Sequence, residues 1–144
     1  MSDNSSYQFL DTNILVYAHD ESAGKKYEKA KALVQELWDS KMGCLSVQVL
    51  QEFYVTITKK VAVPLDIDMA AKIIEDLSYW KIYAPEAKDV LNAIDLQRRY
   101  QLPFWDAMIV WSAAESGCDI IWSENLNPGQ IYAGVKLLNP FRNM

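Results

Sequence analysis

The stretch Tyr7-Gln8-Phe9-Leu10-Asp11-Thr12-Asn13-Ile14-Leu15-Val16-Tyr17 decides how the rest of the chain is read. It opens as a short apolar and aromatic run ending on an acid. A turn through Asn13 then leads into a second apolar run, which predicts a strand over 7–11 followed by a helix. A carboxylate at the end of an apolar strand is costly unless it is paired or bound to a metal. Asp11 is therefore either a cap, accepting backbone N–H groups of the turn, or part of a site.

Working outward, strand and helix signals keep alternating. From Gly24 to Ser40 the residues Tyr27, Ala30, Leu33, Val34, Leu37 and Trp38 recur at three and four, an amphipathic helix followed by Gly43. Gly43–Leu45 predicts a second strand, and Ser46 is placed to cap the helix carrying Val49, Leu50, Phe53, Tyr54 and Ile57. Pro64 and Asp66 restart the chain in a helix, Trp80–Ala84 is a third strand candidate stopped by Pro85, and Glu86–Tyr100 reads as a helix with Val90, Leu91, Ile94 and Leu96. Pro103 opens a further helix that stops at Gly117, ahead of strands at Asp119–Trp122 and Val135–Leu138.

Short strands alternating with helices imply an α/β fold with parallel strands, joined by right-handed crossovers. Ligands of such folds lie at the carboxyl ends of the strands. That rule points to Asp11, Thr12 and Asn13 after the first strand, Ser46 and its helix after the second, and Ser123, Glu124 and Asn125 after the fourth.

The chain has 144 residues, 51% of them hydrophobic, with only five glycines and five prolines. That composition builds one globular core and excludes disorder or a fibrous repeat, so residues 1–144 are expected to form a single domain. No run is long enough to span a bilayer and residues 1–6 are polar, which predicts a cytoplasmic protein with no membrane partner. Cys44 and Cys118 are expected to be buried thiols. A net charge of −5 argues against a broad basic grip on nucleic acid. It is compatible with a carboxylate cluster whose metal ions bring the positive charge.

Three acids from separate segments carry the chemical argument. Glu52 lies at the edge of a buried helical stripe, where a solvated boundary role competes with ligation. Asp106 sits in the first turn of its helix beside Phe104 and Trp105; dipole compensation is its bland role, but an acid partly buried there needs a further partner. Together Asp11, Glu52 and Asp106 match the oxygen-rich set that Mg2+ or Mn2+ requires. Acids so held position one or two ions to activate water and stabilise an in-line phosphoryl displacement.

Four ordered blocks are similar to a known family: Phe9-Leu10-Asp11-Thr12-Asn13-Ile14-Leu15-Val16-Tyr17-Ala18, Ser46-Val47-Gln48-Val49-Leu50-Gln51-Glu52-Phe53-Tyr54, Phe104-Trp105-Asp106-Ala107-Met108-Ile109 and Trp122-Ser123-Glu124-Asn125-Leu126. They resemble PIN domains, especially the VapC-type toxins of toxin–antitoxin pairs, over nearly the whole chain. The resemblance implies a three-layer α/β/α PIN-like fold with a parallel sheet of four to five strands in the order 3-2-1-4-5. It also implies Mg2+- or Mn2+-dependent endoribonuclease activity, metal ligation by Asp11, Glu52 and Asp106, and support from Asn13 and Ser123. A homodimer, a cognate antitoxin and an RNA substrate, with tRNA among the candidates, follow from the same likeness. The family often has a fourth acid at the position of Asn125. Here a neutral amide is left as a weaker ligand, and Glu124, pointing to the opposite side of an extended segment, is not expected to replace it.

His19, the only histidine, is expected at the surface, most of the tryptophans in the core, and Lys25, Lys26, Lys29, Lys59, Lys60, Arg98 and Arg99 as mostly solvated helix charges. Two rivals stand beside the nuclease. One is a regulatory binding module that keeps the fold and has weakened or lost catalysis, as Asn125 would allow. The other is a phosphatase with an aspartate nucleophile, disfavoured because Asn13 stands where such enzymes usually carry a second acid.

Overall fold

A computed structural model describes residues 6–142. The first strand, β1 (Tyr7–Leu10), runs through the middle of the sheet, with Phe9 and Leu10 wholly buried. Helix α1 (Thr12–Tyr17) starts immediately after Asp11, and a short 3-10 turn (Glu21–Ala23), not anticipated from the sequence, leads into α2 (Lys25–Ser40). The chain leaves α2 through Lys41 in the left-handed conformation and enters β2 (Gly43–Ser46). A side chain at Gly43 would collide with the Trp80 ring, so glycine there reflects close packing of an indole on the strand backbone.

Ser46 caps α3 (Val47–Lys59), its hydroxyl accepting from Val49 N at 3.3 Å. Asp66 caps α4 (Ile67–Leu77), which precedes β3 (Lys81–Tyr83). Helices α5 (Ala87–Tyr100) and α6 (Phe104–Glu115) pack on each other before β4 (Cys118–Trp122). Val90 and Leu91 face outward, 40% and 66% exposed. The buried line of α5 is Asp89, Ala93 and Leu96.

The sheet has six strands in the order β3-β2-β1-β4-β6-β5, parallel except for the last pair. The expected strand at 135–138 is β6 (Val135–Leu138), in the expected place beside β4. The addition is β5 (Ile131–Tyr132), an antiparallel edge strand joined to β6 by a tight turn with Ala133 and Gly134 both at positive φ. Two-residue strands carry no periodicity, so this one gave no signal.

Because the chain lays β2 and β3 on one side of β1 and then crosses to β4 on the other, the strand order reverses between β1 and β4. A crevice opens at the carboxyl ends there. No helix among the described residues is long and apolar enough to cross a membrane. Both cysteines are buried thiols.

Candidate active site

At the reversal point the ends of β1 and β4 are fastened together. Asp11 N donates to Trp122 O at 3.0 Å, and Ser123 Oγ donates to Asp11 Oδ2 at 2.7 Å while accepting from Asn125 N at 3.1 Å. The other Asp11 oxygen accepts from Thr12 N at 2.7 Å as α1 begins. Asp11 therefore caps its helix, as its position suggested, and Ser123, wholly buried, orients its second oxygen.

A cleft of about 820 Å3 opens over this point. Asp11, Asn13, Glu52, Asp106 and Asn125 all line it. Glu52 arrives from α3, partly buried, where Thr12 Oγ1 donates to Oε1 at 2.6 Å and Gln48 Nε2 to Oε2 at 3.3 Å. Asp106 arrives from the first turn of α6, and among the described residues no side-chain or backbone donor reaches its carboxylate.

The electrostatics are adverse for the metal-free protein. Burial pushes the Asp11 carboxyl up to about 6, and the neighbouring charges of Asp106 and Glu52 push the same way, against the Ser123 and Thr12 hydrogen bonds. Burial and then Glu52 also raise Asp106. Both amide atoms of Asn13 are buried at the cleft without a hydrogen-bond partner among the described residues, an arrangement that costs about 1–3 kcal/mol per group if nothing fills it.

Hard oxygen donors, like charges crowded into one crevice and an orphaned amide fit a divalent cation. The carboxylates are not already gathered as a cage: among the described residues, no three acidic, histidine or cysteine side chains stand close enough together to hold one ion. Glu52 is occupied by Thr12 and Gln48.

Asn125 is exposed at the rim of the cleft. Glu124 is engaged elsewhere, accepting from Tyr17 OH at 2.7 Å and pairing with Lys26, whose ammonium lies over the Tyr17 and Phe141 rings. Lys26 is thus a packed ion-pair partner and not a freely solvated charge.

One further expectation from sequence needs correction. His19 is not a surface residue: it is partly buried, its Nδ1 lies 2.9 Å from Leu15 O, and its ring meets Phe53 edge to face. Desolvation lowers its pKa, and it lies outside the acid cleft. Most of the tryptophans pack in or against the core as expected, and Trp105 is the exception, with 63% of its surface exposed. Thr12, to which the strand-end rule pointed, and Lys60, expected as a helix charge, also border the cleft, and so does Gln48, which had not been singled out. For Gln48 a signal existed, since it stands four residues before Glu52 on the same helix face.

The PIN-domain family model matches residues 9–132. Among solved structures the fold is similar to Mycobacterium tuberculosis VapC20, described as a sarcin–ricin loop cleaving toxin, with TM-score 0.64, 18% identity and coverage of 82% of this chain and 89% of that one. It is also similar to DNA-bound VapBC from Salmonella typhimurium, with TM-score 0.65, 16% identity and coverage of 94% and 99%. VapBC2 from Rickettsia felis, bound to a promoter DNA fragment, gives TM-score 0.64, 20% identity and coverage of 92% and 98%. No curated protein matches in sequence.

Proposed function

This chain belongs to the PIN-domain family, and from that premise we propose that it is a divalent-metal-dependent endoribonuclease, the toxin of a toxin–antitoxin pair. One observation carries the reading: Asp11, buried at the sheet's reversal point, is driven up to about 6 by its burial and by the charges of Asp106 and Glu52 in the same cleft. A buried acid under that pressure, in a cleft, is a functional-site signal.

In this reading Asp11, Glu52 and Asp106 hold Mg2+ or Mn2+, with Asn125 as a weaker neutral ligand. Bound there, the ion supplies positive charge to the scissile phosphate and makes water a better nucleophile. The chain's own residues do the positioning. Ser123 and Thr12 N fix the two Asp11 oxygens, Thr12 Oγ1 and Gln48 hold Glu52 at the rim, and the Asn13 amide is free to bond water or phosphate in the cleft. Lys60 lines the same cleft and offers a cation to the RNA backbone.

By likeness to the VapBC complexes, the partner is a cognate antitoxin. Residues 1–144 would act as one PIN domain in the cytoplasm, as a homodimer.

Incubating the purified protein with bulk tRNA and Mg2+ or Mn2+, beside Asp11→Asn, tests the reading. Losing several kcal/mol of charge stabilisation corresponds to roughly a 1,000-fold slower cleavage for the variant. Equal cleavage by both proteins, or none by either, would overturn it.

A second reading, a catalytically weakened regulatory module, is favoured by Asn125 and by the dispersed carboxylates. It takes over if calorimetry at millimolar Mn2+ finds no binding that Asp106→Asn abolishes.

A further inference from the structure

Of the five tryptophans, four are held by the fold. Trp38 and Trp80 meet edge to face with centroids 5.4 Å apart, Trp111 Nε1 donates to Asp89 at 2.9 Å, and Trp122 Nε1 donates to Gln8 at 2.8 Å. Trp105 alone keeps most of its surface in solvent, although an exposed indole gains nothing for stability. Its backbone is anchored and its ring has one aromatic neighbour. Pro103 precedes its helix, the Phe104 ring stands 5.1 Å away at 72°, and its carbonyl accepts from Gln48 Nε2 at 3.4 Å, the amide that also reaches Glu52.

The indole stands between two concavities. One is the acid cleft; the other is an apolar groove of about 430 Å3 bordered by Ala84, Pro85, Val90 and Met108. Trp105, Gln48 and Gln51 line both, so the groove adjoins the cleft at the indole. Among the described residues Lys60 is the only cation lining the cleft, and the protein's net charge is −5. The cleft's own side chains thus offer little charge to the phosphates on either side of the scissile one, which leaves room for a contact that does not depend on neutralising them. Stacking of an unpaired base on an aromatic face is such a contact.

We propose that Trp105 is the platform on which the nucleobase next to the scissile phosphate stacks. This rests on the ribonuclease reading. In a duplex the base faces are already stacked on one another, which leaves none for the indole.

The test titrates a fluorescein-labelled single-stranded oligoribonucleotide, and the duplex of the same sequence, into Asp11→Asn protein in Mg2+, read by anisotropy. Trp105→Ala and Trp105→Phe are introduced on that background, and wild-type cleavage with Mn2+ is assayed in parallel. Binding of the single strand should weaken about tenfold or more with Ala and stay within about threefold with Phe, which keeps a stacking face. The duplex should bind more weakly and respond little to either change.

Trp105→Ala binding as well as its parent, Phe falling as far as Ala, or a parent that binds no single strand would each overturn the platform. Should Ala disturb folding, seen as a lowered melting temperature, the Phe variant against Trp105→Leu carries the same comparison. Trp105-dependent binding without any wild-type cleavage would sink the nuclease reading and leave the platform standing. Cleavage with Trp105-independent binding would do the reverse.

Discussion

Asp11 and Asp89 are both buried carboxylates, 6% and 2% exposed, and both stand at the start of a helix. Asp89 accepts from Glu86 N at 2.7 Å, from Tyr83 OH at 2.6 Å and from Trp111 Nε1 at 2.9 Å. These bonds, led by that from Glu86, hold it below the ordinary carboxylate range. Asp11 has two donors and faces two other acids, and it is pushed up to about 6. Two buried acids of one fold thus separate by surroundings alone. A carboxylate whose lone pairs are filled by the protein joins β3, α5 and α6, while one left crowded and underserved has a charge that only something from outside can relieve.

The largest effect expected from this contrast is catalytic: Asn at Asp11 should remove RNA cleavage, whereas Asn at Asp89 should leave cleavage per folded molecule within about twofold, since Asp89 touches no part of the cleft. Cleavage lost equally in both would break the comparison.

Next in size is stability, where the same substitution should act with opposite signs. In EDTA at pH 7.5, Asp11→Asn should raise the melting temperature by several degrees. Holding that buried charge at a carboxyl shifted from 3.8 to about 6 costs up to about 3 kcal/mol. Asp89→Asn should lower it, because an amide cannot accept from all three donors. The pH dependence sharpens the difference. Asp11 is raised in the fold, so its own contribution to metal-free stability is fully present below pH 3.8 and is lost as pH rises through about 6. Asp89 is depressed, so its contribution is present above the ordinary carboxylate range and is lost as pH falls through its lowered value. Melting curves of wild type and Asp11→Asn from pH 4.5 to 7.5 should diverge with rising pH; parallel curves would contradict the assignment.

Addition of Mn2+ should raise the wild-type melting temperature at pH 7.5 and leave Asp11→Asn nearly unmoved, with chelator reversing the gain. An equal rise in both proteins would place the ion elsewhere. The smallest effect concerns Asn125: Asn125→Asp adds one charged ligand at the rim and should tighten Mn2+ binding about tenfold by calorimetry. Unchanged affinity would mean that this position does not reach the ion.

Much of this was legible in the chain. Asp11 announced itself because an acid ended an apolar strand, and Ser46 and Asp66 were readable as caps since polar residues preceded periodic runs. Asp89 passed unnoticed inside a helix, although Glu86 and Asp89 form a capping box after Pro85, a local signal that could have been read. Its third donor, Trp111, belongs to another helix and could not. His19 looked like a surface residue because its burial depends on Phe53, 34 positions away.

The order of apolar periods, caps and breakers along the chain determined its helices, all but the shortest of its strands and, through the crossover rule, the edge of the sheet where acids would count. Tertiary structure alone decided which buried acid is satisfied and which is strained, that Glu124 is held by Tyr17 and Lys26, and that one indole of five faces water beside Asp106. The reason is physical: hydrogen-bond partners, desolvation and charge crowding depend on distances between segments remote in sequence, whereas capping and periodicity are settled within a few residues.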